Sequence, residues 1–557
     1  MEKPVVVIGG AGVFGSRLAE GLVRDGVPNV VVAGRNSQAL QKTAKRIGCS
    51  WIELDLDAED VTERLCAKRP FVVIDAAGPF QAYGGKGAYS LPRIALAAGA
   101  HYFDLSDDAT FTAGIAELDV EARRAGLSVL SGVSSVPALS AAAVRALSSD
   151  MTRIDLIDSM ILPGNRAPRG RSVMAAILAQ AGKPLPRTSA RAWLGSEKIR
   201  IELKDGRSIE RLASPIGAPD LVLMPERFGC DDVRFRAGLE LRLMHRGLEA
   251  MSWLVRSGLL KSASPFLPIL FRVAQYLEPF GTDIGAMRVL VRGQTFGGDL
   301  VERCWTLTAK AGDGPHVPAI PGRAIVRKLL AGEVPSGARA CLDDLDLTEC
   351  ETAAPERAVG FERSEMPFVP LFKGILGDAW LRLPKEVRAL HEVAGTRSWN
   401  GAAKVIRSRN LVSQTVAWLF GFPPEAEDTP VFVTMRRDGR EEIWTRDFSG
   451  HRFLSHLRAD PRRPGRMWER FGPFRFAIDL KVDEAGLSYP VSSGRFLGFP
   501  IPRVLLPKSN THEAVDDRGR VTFDVALSMP VFGPVVRYQG WLVADQPIMG
   551  DQELTVS

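Results

Sequence analysis

At 557 residues, with 45% hydrophobic and 24% charged residues, the chain is too long for one ordinary core and has a globular composition, which excludes disordered and fibrous classes and predicts several domains. The net charge of +6 comes from Lys and Arg scattered among Asp and Glu, so no basic tract points to nucleic acid, and the mild positive field suits small anionic partners. The six cysteines, Cys49, Cys66, Cys230, Cys304, Cys341 and Cys350, form no Cys-x-x-Cys pair and have no His at ligand spacing, so neither a metal site nor a disulfide framework is expected.

Met1-Glu2-Lys3-Pro4 runs straight into an apolar stretch without a charged-then-apolar leader, which reads as cytoplasmic. Residues 5–8, Val-Val-Val-Ile, predict a fully buried parallel strand, and Gly10-x-Gly12-x-x-Gly15 turns it into a helix. Gly10 suits the tight turn, Gly12 lets backbone approach a pyrophosphate, and Gly15 lets the helix pack closely on the strand. Ala11, Val13 and Phe14 complete a cradle whose first-turn N–H groups, with the positive end of the helix dipole, face phosphate. Three glycines can also make a plain loop, so context decides. Here Leu18, Leu22 and Val23 give a helical stripe that stops at Gly26, and residues 30–33 supply a second buried strand.

An NAD site usually places an acidic residue at the end of that second strand. This chain has Gly34-Arg35-Asn36 there. Arg35, a permanently charged planar fork, suits a 2′-phosphate with Asn36 beside it, which favours NADP(H); the plainer reading is a surface arginine. Ser37 can cap a helix with the apolar face Leu40, Ala44 and Ile47, and a third strand over 51–54 ends at Asp55. Asp55 can reach the adenine side of the cofactor or simply cap a helix over 58–68. A strand over 71–74 leads to Asp75-Ala76-Ala77-Gly78-Pro79-Phe80, where Ala77 and Gly78 let backbone approach the nicotinamide side and Asp75 can cap. A helix over 86–98 and a strand over 101–104 follow, the alternation of a doubly wound sheet.

Five stretches carry a family resemblance: the glycine loop, Ala33-Gly34-Arg35-Asn36, Asp75 to Phe80, the run from Ala97 to Leu105, and Gly132-Val133-Ser134-Ser135-Val136-Pro137. Together they resemble the saccharopine dehydrogenase-like NADP-binding family over about the first 140 residues, and more diffusely over the next 200. The resemblance implies a Rossmann domain followed by an α+β domain, with hydride transfer between NADP(H) and a substrate between them. It also implies that Asp104, Ser134 and Ser135 are the polar groups nearest the hydride. Relatives reduce imines or lipid-linked enoyl groups. Asp107-Asp108 stands where many relatives have Gly-Glu, which puts an amino-acid substrate in doubt.

In a second domain, over 131–350, strands are expected at 154–162, 198–203, 221–224, 287–291 and 301–309, with a loop at 163–171 and a helix at 173–181. The apolar segment 241–277 is interrupted by Arg246, Arg256, Lys261 and Arg272, so it is no spanning helix. It reads as helices over an apolar substrate site, as an interfacial pair facing lipid headgroups, or as ordinary core or homodimer contact. His316, in a turn cluster, can donate a proton or be structural; a short helix is expected over 323–330.

Polar residues between 347 and 365 read as a linker. The third domain, 365–557, starts with helices near 371–391 and continues as short strands at 431–435, 441–445, 474–482, 487–490, 521–527 and 535–543. This predicts a barrel-like or strongly curved antiparallel sheet in which Trp444, Phe448, Trp468, Phe474 and Trp541 fill the interior or line an apolar cavity. The region resembles an uncharacterised domain found behind saccharopine dehydrogenase-like modules. His391, Glu469 and Arg470 are its polar candidates, with solvated or paired surface residues the plainer reading.

The fold class is therefore α/β: a Rossmann doubly wound parallel sheet over 1–130, then an α+β domain and a mainly antiparallel β domain. The functional expectation is an NADP(H)-dependent oxidoreductase acting on an imine, carbonyl or enoyl group of a small, apolar or lipid-like molecule. The alternative is a non-catalytic nucleotide-binding scaffold or lipid-surface protein. Spacing assigns no catalytic residue.

Overall fold

The computed structural model describes residues 3–83, 87–168, 170–203, 206–354, 357–483 and 486–545. It forms two compact units: the chain up to Val291 with Glu302–Met366, and Arg292–Val301 with the chain from Pro367 onward. The expected helix start at Lys86, and parts of the expected loop at Arg169 and linker at 355–356, lie outside the described residues.

The first unit is built on seven parallel strands. Val5–Ile8 (β1), Val30–Gly34 (β2), Ser50–Glu53 (β3), Val72–Asp75 (β4), His101–Asp104 (β5) and Ser128–Ser131 (β6) take the order 3-2-1-4-5-6. In β1, Val5 and Val7 enter one hydrophobic layer with Leu18, Leu22 and Leu40, while Val6 and Ile8 enter the opposite layer with Leu65, Tyr102 and Phe111. An unbroken apolar run is what a strand covered by helices on both faces requires. β1 pairs β2 on one side and β4 on the other, so strand order reverses there, and crevices for ligands open beyond the carboxyl ends of such strands.

The seventh strand, Gly337–Ala340, pairs with β6. It arrives by way of the helix Ile320–Leu330, which packs on the helix Val13–Arg24 (α1). The structure therefore does not divide at 130–131: the chain leaves the Rossmann sheet, builds a second layer, and returns to finish the first.

That second layer is a seven-stranded mixed sheet. Its order is Val359–Pro367, Leu300–Ala309, Gly285–Thr295, Met151–Leu162, Val233–Leu239, Ser208–Pro215, Glu197–Glu202. Two expectations are corrected here. The apolar run 221–224 is not a strand but the middle of the helix Asp220–Phe228, ended by Gly229 in a left-handed conformation; four apolar residues carry no period that separates the two. The linker is in fact a helix, Leu347–Thr352, and the edge strand Val359–Pro367, whose polar residues reflect its exposed outer half.

The second unit is dominated by a thirteen-stranded antiparallel sheet between Thr396 and Ala544, accompanied by the helices Leu371–Leu376, Lys385–His391 and Leu411–Leu419. Strands from both ends of the sheet order line one cavity, so the sheet is strongly curved. Trp444, Phe448 and Phe474 line that cavity. Trp468 instead donates its indole N–H to Asp460, and Trp541 lies under the Arg520 guanidinium, 4.3 Å from the ring centre.

Candidate active site

The loop after β1 is shaped by close contacts. Gly9, with φ +72°, has no room for a side chain, since a Cβ there would stand 2.7 Å from the Ala76 carbonyl oxygen of the neighbouring loop. Gly15 lies against the Gly9 carbonyl, so the first turn of α1 sits tightly on the strand end. Gly12 is the N-cap of α1, with no side chain capping the first-turn N–H groups, which leaves them for an anion. A dinucleotide pyrophosphate fits this cradle. Gly9 was the glycine missed in the sequence, although the pair Gly9-Gly10 directly after a buried strand was the available signal.

Around the cradle the expected residues separate. Arg35 is exposed at the end of β2. Asn36 caps the next helix, its Oδ1 accepting from the Ala39 N–H at 3.0 Å. Asp55 accepts from the Asp57 N–H at 3.2 Å in a turn before the helix Val61–Lys68, whose N-cap is Asp60. Ala77 donates its N–H to Asp75 Oδ1 at 2.9 Å, so Asp75 caps this loop as well as accepting from the Tyr83 hydroxyl.

A cavity of about 330 Å3 opens beside these loops. Phe14, Ala76, Gly78 and Pro79 form its nucleotide side; Ile161, Met287 and Leu307 of the mixed sheet, and Val173, Met174 and Ile177 of the helix Arg171–Gln180, form much of the rest. Ser134 and Ser135 are on its wall. Asp104 is not: it is fully buried, and its Oδ1 accepts from the Ser106 N–H, the Gly132 N–H and the Ser131 hydroxyl, each at 2.9 Å. Its carboxylate ties together the turn after β5 and the end of β6, two residues before Ser134. His316 is also absent from the wall. Burial first, then the nearby Arg357 and Arg17 guanidinium groups, pushes its pKa down to about 4, so it is neutral at pH 7 and does not act there as an imidazolium acid.

Asp107 and Gln81, missed as site residues, do line the cavity, with Gln81 Nε2 donating to Asp107 Oδ1 at 3.3 Å. The unusual Asp at position 107 was the only signal.

Residues 5–130 match the saccharopine dehydrogenase NADP binding domain. That match spans β1 to β5 and most of β6. Residues 383–542 match a domain of unknown function, DUF4166. The saccharopine dehydrogenase (L-Glu forming) of Saccharomyces cerevisiae shares 13% identity, covering 65% of this chain and 100% of its own, with a TM-score of 0.46. A probable dehydrogenase of Thermotoga maritima shares 10%, covering 63% and 93%, with a TM-score of 0.30. The WlbA dehydrogenase of Thermus thermophilus, in complex with NAD and UDP-GlcNAcA, shares 16%, covering 63% and 94%, with a TM-score of 0.29. No curated protein matches the sequence. Residues 5–130 match a dehydrogenase-type nucleotide-binding domain, and Phe14 and the loop after β4 border the apolar cavity.

Proposed function

We propose that this protein is an NADP(H)-dependent oxidoreductase that reduces or oxidises an imine, carbonyl or enoyl group on an apolar, lipid-like substrate. The observation that carries the reading is the continuity of the cavity: one wall is the nucleotide loop, and much of the opposite wall is aliphatic. Bound nicotinamide supplies or accepts the hydride. The chain's part is to hold the pyrophosphate on the first-turn N–H groups of α1, to bring Gly78 close to the ring, and to shape an apolar slot for the substrate. Ser134 and Ser135, on the cavity wall, would supply the hydrogen bond to a carbonyl oxygen or imine nitrogen. An open cavity also supports turnover over the scaffold reading, which a filled cleft would favour.

Cofactor choice rests on Arg35. In titrations of the full chain, NADPH should bind more tightly than NADH, and Arg35→Ala should weaken NADPH about tenfold or more while changing NADH about twofold at most. Equal losses would sink the NADP assignment. NADPH oxidation with long-chain aldehydes, ketones or enals, but not with a 2-oxo acid and an amino acid, is the matching substrate result.

A further inference from the structure

The second unit encloses a cavity of its own, about 600 Å3 in volume. Protein interiors are packed with few voids larger than a water molecule, and this volume is that of a ligand site rather than of a packing fault. Its wall is almost wholly apolar, from Val416 and Phe420 at the helix Leu411–Leu419 to Met435, Phe476 and Val525 on strands separated in the sheet order.

The few charged groups on the wall are already paired. Arg446 donates to the Ser455 hydroxyl at 3.0 Å and lies 3.7 Å from Glu469. Glu513 accepts from the Tyr489 hydroxyl at 2.8 Å and faces His391 Nε2 at 2.7 Å. His391 is fully buried and stacked on Phe372, unlike the surface group expected from the sequence. With each charged group already engaged by neighbouring side chains, an ionised ligand would find no dedicated partner and would lose its hydration. A hydroxyl or carbonyl could still join the paired cluster. The mouth is apolar too: Leu419, Phe496, Phe499 and Leu505 line the cavity and are exposed, Phe499 at 75%. Exposed apolar side chains grouped at an opening mark a binding surface.

We infer that the second unit is a binding chamber for one uncharged, mainly apolar molecule, such as a medium-to-long-chain alcohol, aldehyde or ester, whose single polar group meets the Arg446–Glu469–Tyr489 cluster. This assignment does not rest on the nucleotide reading. The test is titration of the full chain, with saturating NADPH present, using the uncharged fluorophore N-phenyl-1-naphthylamine, followed by displacement with dodecanol or dodecanoate. Val525→Trp adds bulk to the cavity wall; Ala526→Trp, the next residue on the opposite face of the strand, is its control. Leu505→Glu places an unpaired carboxylate at the mouth, on a side chain exposed enough to leave folding intact.

Wild type and Ala526→Trp should bind the probe alike, with dodecanol the better competitor. Val525→Trp and Leu505→Glu should each weaken binding about tenfold or more. Absence of probe binding by wild type, or full binding by the folded Leu505→Glu variant, would overturn the chamber. Stronger displacement by dodecanoate would overturn the uncharged ligand.

Discussion

Asp75 and Asp104 stand side by side on β4 and β5, both fully buried, and burial above all raises their pKa values, to about 6 and about 7. For Asp104 three hydrogen-bond donors oppose the rise and the neighbouring Asp75 adds to it. A carboxyl that holds its proton more tightly folded than unfolded favours the folded state at low pH and loses that advantage as pH climbs from its ordinary value near 4 to the folded value. The first unit should therefore lose stability between about pH 4 and pH 7, by up to about 1.4 kcal/mol per pH unit for each group. Asp104→Asn keeps an oxygen for the three donors and removes the charge, so it should flatten the slope and be at least as stable as wild type near pH 8. Chemical denaturation across pH measures this; an unchanged slope would show that Asp104 does not carry it. Sequence placed Asp104 correctly at a strand end but could not show that its carboxylate turns inward.

At the scale of elements, the return of the chain to the Rossmann sheet depends on a buried ion pair. Arg323, on the helix Ile320–Leu330, forms a two-pronged contact with Asp25 at the end of α1, at 2.6 and 2.9 Å. Both side chains are nearly inaccessible, whereas Arg327, on the same carboxylate at 2.8 Å, is largely exposed. Gly21 leaves room for the arginine stem. Without Arg323 the buried Asp25 keeps only the more exposed Arg327, so Arg323→Leu should destabilise the first unit by up to about 3–5 kcal/mol. Arg327→Leu should cost about 1 kcal/mol or less, because exposed pairs are weak. Denaturant midpoints compare the two; similar losses would mean that the burial difference is not what matters. The short helix was legible in its apolar period, but a partner about 300 residues away in the chain was not.

At the scale of the molecule, the segment 241–277 forms two helices, Arg242–Arg256 and Leu267–Leu277, and the second packs on the cavity helix Arg171–Gln180. Much of its apolar surface faces outward: Leu243 is 77% exposed, Trp253 55%, Ile269 63% and Tyr276 78%. No helix among the described residues is long and apolar enough to cross a membrane. We propose that this face, with Arg246, Arg256, Lys261 and Arg272, rests on an anionic lipid surface. The full chain should co-sediment with vesicles containing phosphatidylglycerol about tenfold better than with phosphatidylcholine alone, and salt should weaken the difference. The double substitution Trp253→Ser with Ile269→Ser should abolish it. Concentration-dependent self-association without vesicle binding would assign the face to a homodimer instead.

The sequence by itself determined what repeats along the chain: the buried strand, the glycine turn, the alternation of strand and helix, and the short strands of the last region. Those signals are local, because a strand buried on both faces and a turn at a phosphate each dictate residue types within a few positions. Only the tertiary structure decided which polar groups share a space. Ser134 and Ser135 meet the cavity while Asp104 is buried away from it against Ser131 and Gly132, His391 is enclosed against Glu513 across about 120 residues, and Gly337–Ala340 completes a sheet begun at Val5. Such placements follow from side-chain direction and long-range pairing, on which periodicity is silent.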